Sequence, residues 1–338
     1  AAAAMKGKRL PQLGRVEISV IEESSPQLLA FDSGALDYAN VPADLVANVV
    51  EPGARLKASY ADRKVSLHRV VRPSLSYTYF NMDDPVVGGY APDRVALRRA
   101  ITMGFDVPSL VRVWLQDQAI VATQPIPPNV LGHDPKLDVR APYDPATARA
   151  LLDRFGYKDR DGDGWRELPD GKPFTLSMGS TPTNRDRERD ELWKRSMRDL
   201  GIRIDFVKQK FPDLLKMGRA GQLQMWPVGW ITTYGEGDAF MQLLYSGNIG
   251  QSNYARFRND EYDELYRKSR RIPDGPERTA LYARMARIVA AYAPWDLGVY
   301  TYENTLVRPW VRGYVKHQSF EHPWKYLDVD PAAQRAGK

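Results

Sequence analysis

Between Gly229 and Phe240 the chain gathers Trp230, Thr232, Thr233, Tyr234, Glu236, Asp238 and Phe240 around two further glycines, Gly235 and Gly237. An apolar run from Met225 to Ile231 leads into this stretch. A turn interrupted so often by glycine cannot be regular, so it exposes backbone N–H groups and presents its side chains. Aromatic faces from Trp230 and Tyr234, with a few polar groups such as Glu236 and Asp238, are what a small-ligand cleft requires. The same residues would also serve to cap a core strand, with Trp230 simply buried. Sequence alone leaves both readings open.

A second constellation runs from Asp159 through Asp161, Asp163, Gly164, Trp165 and Glu167 to Asp170. Its D-x-D-x-D-G spacing, with an acid at loop position twelve, is that of a calcium loop: oxygens at alternating positions wrap one hard cation. Two features depart from that pattern. Position twelve is Asp170, shorter than the usual Glu, and a strand from Phe174 follows where a helix is customary. A hairpin-like turn built on Asp and Gly is the competing reading. Any calcium here would be structural, and no cofactor is otherwise required. The charge-dense stretch from Arg185 to Arg195 interleaves both signs and reads as a solvated helix face.

Nothing in the chain spells out catalysis. It has no G-x-S-x-G, no P-loop and no dinucleotide fingerprint. With no cysteine there is no disulfide, thiol nucleophile or zinc ribbon, and four histidines without H-x-x-x-H spacing make no obvious metal site. Carboxylates are abundant, so a hydrolase pair is not excluded by counting, but none stands out. Lys and Arg number 48 against 42 Asp and Glu, an excess of +6 that is spread along the chain rather than concentrated as in a nucleic-acid binder. Absence of cysteine suits a compartment such as the bacterial periplasm.

The elements that must position these residues follow from periodicity. Length, 338 residues, suggests two domains. Residues 15–22 alternate like a strand, 35–41 make another, and Val70 to Asn81 reads as one long strand rich in β-branched and aromatic residues. Helices are expected at 27–31, 42–50, 92–105, 108–115, 145–155, 185–200, from Asn259 and from Pro276. Strands are expected from Phe174, from Ile202 and over 225–231. Strands alternate with helices throughout, so the class is α/β.

Five segments in order carry a resemblance: Leu28–Asp37, Tyr79–Asn81, Val95–Asp106, Tyr143–Leu152, and Gly229-Trp230 followed by Asp238–Phe240. Together they resemble the extracellular solute-binding proteins of family 5, the peptide and nickel class of ABC-importer receptors. The resemblance implies a type II periplasmic-binding-protein fold with two hinged lobes. Residues 1–79 and 299–338 would form the first lobe and 80–298 the second. Because family members are longer, the first lobe would be incomplete. It also implies a periplasmic, or extracellular and membrane-associated, monomer that captures an oligopeptide or modified peptide for a membrane permease, with no reaction. The same fold would serve an oligosaccharide or a metal chelate. In dipeptide-binding members an Asp soon after the Gly-Trp pair holds the ligand's amino group. Thr233 stands there, leaving Glu236 or Asp238 for that part. Tyr77, Tyr79 and Asn81 would lie at the lobe crossing, within reach of a ligand or packed beneath the hinge.

Overall fold

The computed structural model describes residues 6–21, 23–51, 54–316 and 322–336. Contacts divide the chain into two units, one of Ala1–Arg72, Leu115–Ile120 and Thr301–Lys338, the other of Pro73–Trp114 and Val121–Tyr300. The expected crossings at 79/80 and 298/299 thus compare with observed ones at 72/73 and 300/301, plus a short return at 115–120.

In chain order the main elements are α1 (Ser24–Asp32), β1 (Tyr38–Val41), β2 (Ser66–Val71), β3 (Ser74–Phe80), α2 (Pro92–Gly104), α3 (Pro145–Arg154), β4 (Thr175–Ser180) and α4 (Asn184–Asp199). After them come β5 (Arg203–Lys208), α5 (Phe211–Ala220), β6 (Met225–Ile231), α6 (Asp260–Ser269), α7 (Pro276–Tyr292) and β7 (Trp295–Val307). Local chemistry sets many of these boundaries. Asp144, Thr183 and Asn259 cap α3, α4 and α6 by accepting the N–H of Thr147, Asp186 and Tyr262 at 2.9, 3.1 and 2.8 Å. Gly221 stops α5 in the left-handed conformation that L side chains rarely adopt.

In the first unit β1 and β2 flank the later part of β7, both antiparallel to it, with Tyr38 opposite Val307 and Arg69 opposite Asn304. Phe31, Val46, Val49 and Leu306 make its core. In the second unit the sheet order is β7, β3, β6, β4, β5; the first pairings are antiparallel, while β4 runs parallel to both β6 and β5. A bulge separates Leu297 from Val299. Gly298 sits at it, and a Cβ there would lie 2.7 Å from the Ser76 carbonyl oxygen, too close for any other residue without a backbone shift. Phe105 stacks on Trp193 of α4 at 3.8 Å between ring centres, so the charge-dense helix keeps an apolar inner face.

Several expectations need correction. Residues 15–21 form no strand: Val16, Ile18 and Val20 are exposed, and among the described residues no partner strand pairs with them. Alternation makes a strand only where a ladder partner exists. The long strand over 70–81 is two, β2 and β3, broken at Arg72-Pro73; Pro73 brings no N–H, and the halves pair with different stretches of β7. The helix expected at 108–115 is present over Val107–Trp114, but only Val107–Ser109 is α-helical and Leu110–Trp114 continues as a wider π-helix. Residues 211–220, given no structure by periodicity, form α5. Among the described residues no helix is long and apolar enough to cross a membrane.

One buried cation organises the second unit. Arg98 of α2 is 0% exposed. Its guanidinium donates to the carbonyls of Val87 (2.6 Å) and Gly89 (2.9 Å) and, at the end of α7, to Tyr292 (2.7 Å) and Ala293 (3.2 Å). A helix C-terminus offers unpaired carbonyls and negative potential, so a planar fork of donors suits it. Burial lowers the Arg98 pKa to about 10, so the charge survives at neutral pH.

Candidate functional site

Trp230 lies on β6, half-buried, on the same face as Val228. Together with Phe211 and Arg219 of α5, and Gln242, Asn248 and Tyr254 from the segment between β6 and α6, it lines a cavity of about 670 Å³ within the second unit. Such a volume is typical of small-ligand sites, and the wall combines aromatic rings with amide groups and one exposed arginine. Tyr254 packs against Trp226 at 6.2 Å and Tyr79 at 6.0 Å between ring centres, so the floor is held by a cluster of aromatics.

The turn after β6 is fixed rather than open. The buried Thr232 donates its N–H to the Pro73 carbonyl at 3.0 Å, and its hydroxyl accepts from Tyr234 and Gly235 at 3.3 and 3.2 Å. Gly235 and Gly237 are stapled to Leu131: its N–H donates to the Gly235 carbonyl, and its carbonyl accepts from Gly237, both at 2.9 Å. Thr233 is exposed, as is Tyr234 at 57%. Glu236 is committed to Arg278 of α7 at 2.9 Å. Burial works against the Arg278 charge, but Tyr282, Glu236 and Asp238 together raise its pKa. The Tyr234 hydroxyl is pushed up to about 12 by burial and then by the Asp238 charge. An Asp238 oxygen, the Arg278 Nε and the Tyr282 hydroxyl are buried in this knot without a hydrogen-bond partner among the described residues.

The expected site residues therefore separate. Trp230 alone lines the cavity. Thr233, Tyr234, Glu236 and Asp238 belong to the neighbouring turn. Phe240 and Tyr79 are 0% exposed and pack in the interior of the second unit, while Tyr77, 3% exposed and 4.1 Å from Trp295 between ring centres, borders a separate small cavity of about 140 Å³. Asn81, also buried, holds backbone, donating to the Gly221 carbonyl at 2.9 Å and accepting from Asp83 N–H at 3.0 Å. Sequence reasoning missed Phe211, Arg219 and Tyr254. Pro212 followed by Gly221 was the one available sign of the helix that carries the first two.

It missed Asp296 as well. This residue of β7 lies opposite Thr78 of β3, 1% exposed, with one carboxylate oxygen unpartnered among the described residues. Burial pushes its pKa up to about 7, opposed only by the charge of Arg140.

In the acidic loop Asp159, Asp161, Asp163 and Glu167 bring carboxylate oxygens within 4.8 Å of one another, Glu167 being buried and the others exposed. Asp170 is not among them; it pairs with Lys172 at 2.8 Å, as its short side chain cannot reach back to the turn. The oxygens already accept loop N–H groups. Asp159 takes Gly162 and Gly164 at 2.7 and 2.9 Å, Asp161 takes Asp163 at 3.1 Å, and Glu167 takes Arg160 at 2.8 Å. Asp163 accepts Trp165 N–H at 2.8 Å and is ion-paired with Arg203.

Residues 4–252 match the family model of bacterial extracellular solute-binding proteins, family 5, middle region. Heme-binding protein A of Haemophilus influenzae is 28% identical over 307 residues, 90% of this chain and 52% of that protein. Di/tripeptide-binding protein 2 of Pseudomonas aeruginosa is 32% identical over 207 residues, 60% of this chain and 37% of that one. The chain thus spans about half, or less, of the length of these curated relatives. Among solved structures, HbpA2 of Haemophilus parasuis superposes with a TM-score of 0.75 at 20% identity, covering 92% of this chain and 57% of that one. The oligopeptide-binding protein AppA of Bacillus subtilis, solved with a nonapeptide, gives 0.74 at 19% identity over 92% and 59%. The shared fold is the α/β architecture of type II periplasmic binding proteins. With the family model matching well over half of its length, the chain belongs to the bacterial extracellular solute-binding proteins of family 5.

Proposed function

We propose that this chain is the ligand-capturing part of a periplasmic receptor that hands an oligopeptide or modified peptide, chemically unchanged, to an ABC permease, and that it acts as a monomer. The observation that carries this reading is the cavity of about 670 Å³ beside Trp230, with rings for side chains and the amides of Gln242 and Asn248 for a peptide backbone. The Pseudomonas relative's name and the nonapeptide bound to the Bacillus protein support a peptide as the ligand class. Thr233 carries no charge, so a free amino terminus would have to be met elsewhere. A metal chelate is the second reading, supported by the name of the Haemophilus relative. Among the described residues no imidazole lines the cavity, and the chain has no cysteine, so these residues offer a porphyrin no such axial ligand there.

Mass spectrometry of whatever co-purifies, followed by calorimetric titration of peptides and of hemin, tests the proposal. Trp230→Ala is expected to weaken peptide binding by roughly ten-fold or more, the loss of the aromatic face that Trp230 turns to the cavity. Peptides that bind equally well to the variant, or hemin binding alone, would overturn the peptide reading.

We further propose that the four-carboxylate loop holds a structural calcium with Glu167 as its buried ligand, in place of Asp170. Millimolar calcium should then raise the melting temperature over that in chelator, and Glu167→Gln should remove the difference. Identical melting in calcium and chelator would reduce the loop to a hydrogen-bonded turn.

A further inference from the structure

A second cavity, of about 400 Å³, lies within the second unit away from Trp230. Arg99 and Thr102 of α2, Asp138 and Arg140 from the stretch before α3, Ala290 of α7, and Trp295 and Leu297 of β7 line it. Its polar groups are unbalanced. Thr102 is 5% exposed, and its hydroxyl has no hydrogen-bond partner among the described residues. Arg140 spends its Nε on the Leu297 carbonyl at 3.2 Å, while its Nη2 is buried and unpartnered. Two donors with nothing to donate to, in a pocket walled by an indole and aliphatic side chains, ask for an acceptor.

Charge narrows the class. Arg99 and Arg140 bring two positive charges, and Asp138, whose oxygen accepts the Arg140 N–H at 3.0 Å, brings one negative. The Arg140 charge is felt by Asp296, but Asp296 is not among the residues that line this cavity, unlike its strand neighbours Trp295 and Leu297. The surplus suits a monoanion, and Asp138 opposes a doubly charged phosphate. Guanidinium and hydroxyl donors match a carboxylate, and the apolar walls match an aliphatic or aromatic body. We propose that this cavity binds a small apolar monocarboxylate, its head on Arg140 and Thr102 and its body against Ala290, Trp295 and Leu297. The site is separate from the Trp230 cavity and stands whatever that cavity binds.

Calorimetric titration of the whole chain with octanoate, N-acetylphenylalanine and octanol tests this. At least one acid should bind at a single saturable site, and octanol should bind roughly ten-fold or more weakly, having no charge for Arg140. Ala290→Phe, which fills the cavity, and Arg140→Gln, which removes the charge, should each weaken the acid by a similar factor. Thr102→Val keeps the shape and provides a milder version should Arg140→Gln fold poorly. The better acid tells an aliphatic body from an aromatic one, and either supports the proposal. No binding by either acid, binding unchanged in Ala290→Phe, octanol equal to octanoate, or binding lost in Trp230→Ala but not in Ala290→Phe would each overturn it.

Discussion

Replacing Asp296 by Asn should stabilise the protein at about pH 8 and leave it nearly unchanged near pH 4. The carboxyl is buried on β7, and its pKa of about 7 lies well above the ordinary 3.8. Between those values the folded protein keeps the proton while the unfolded chain releases it, so stability falls as pH rises through this window and levels off above it. Below the ordinary pKa the group costs nothing in charge. Each pKa unit corresponds to about 1.4 kcal/mol, so Asn should recover on the order of 3 kcal/mol at alkaline pH, allowing for the amide's own unmet hydrogen bonds. For a body of this size that is a rise in melting temperature on the order of 10 °C. Thermal melts of both proteins across this pH range check it. A gain of the same size at every pH would show that charge is not the cause.

Arg98→Leu is expected to do the opposite at every pH near neutrality. The aliphatic stem would be replaced well enough, but carbonyls of Val87, Gly89, Tyr292 and Ala293 would lose their donor in the interior. Buried acceptors left alone cost about 1–3 kcal/mol each, and partial relaxation brings the total to on the order of 4 kcal/mol. Arg98→Lys should fall between, since a compact ammonium cannot serve carbonyls on both the Val87–Gly89 loop and the end of α7. Urea unfolding monitored by tryptophan fluorescence measures all three. A loss under about 1 kcal/mol for Arg98→Leu would mean that the four carbonyls find water.

What the sequence allowed to be read, and what it hid, divides along physical lines. Pro92 with its apolar stripe, Asp144-Pro145 and Asn259 announce helices because caps and periodicity are local, and the structure has α2, α3 and α6 there. Arg98 looked like any surface arginine on such a helix; its partners, Tyr292 and Ala293, are remote in sequence. Asp296 gave no local sign either; the strand it pairs with, β3, is remote in sequence. The alternation of Val16, Ile18 and Val20 misled because a pattern of side chains carries no information about a partner strand. The Gly229–Phe240 turn was legible as irregular and aromatic, and Trp230 does line a cavity. The rest of that wall comes from α5 and from Gln242, Asn248 and Tyr254, which only folding brings beside it. The acidic loop was found by spacing, yet its fourth carboxylate is Glu167, because the turn closes sooner than a twelve-residue count supposes.

β7 gives its first residues, through Tyr300, to one sheet and the remainder, from Thr301, to the other. On the ribosome it emerges long after β1, β2 and β3, its partners. Neither sheet can therefore finish while β7 is still being synthesised, and half-made chains would present bare strand edges. Such late, long-range closure predicts slow maturation and a need for shielding by chaperones before β7 arrives.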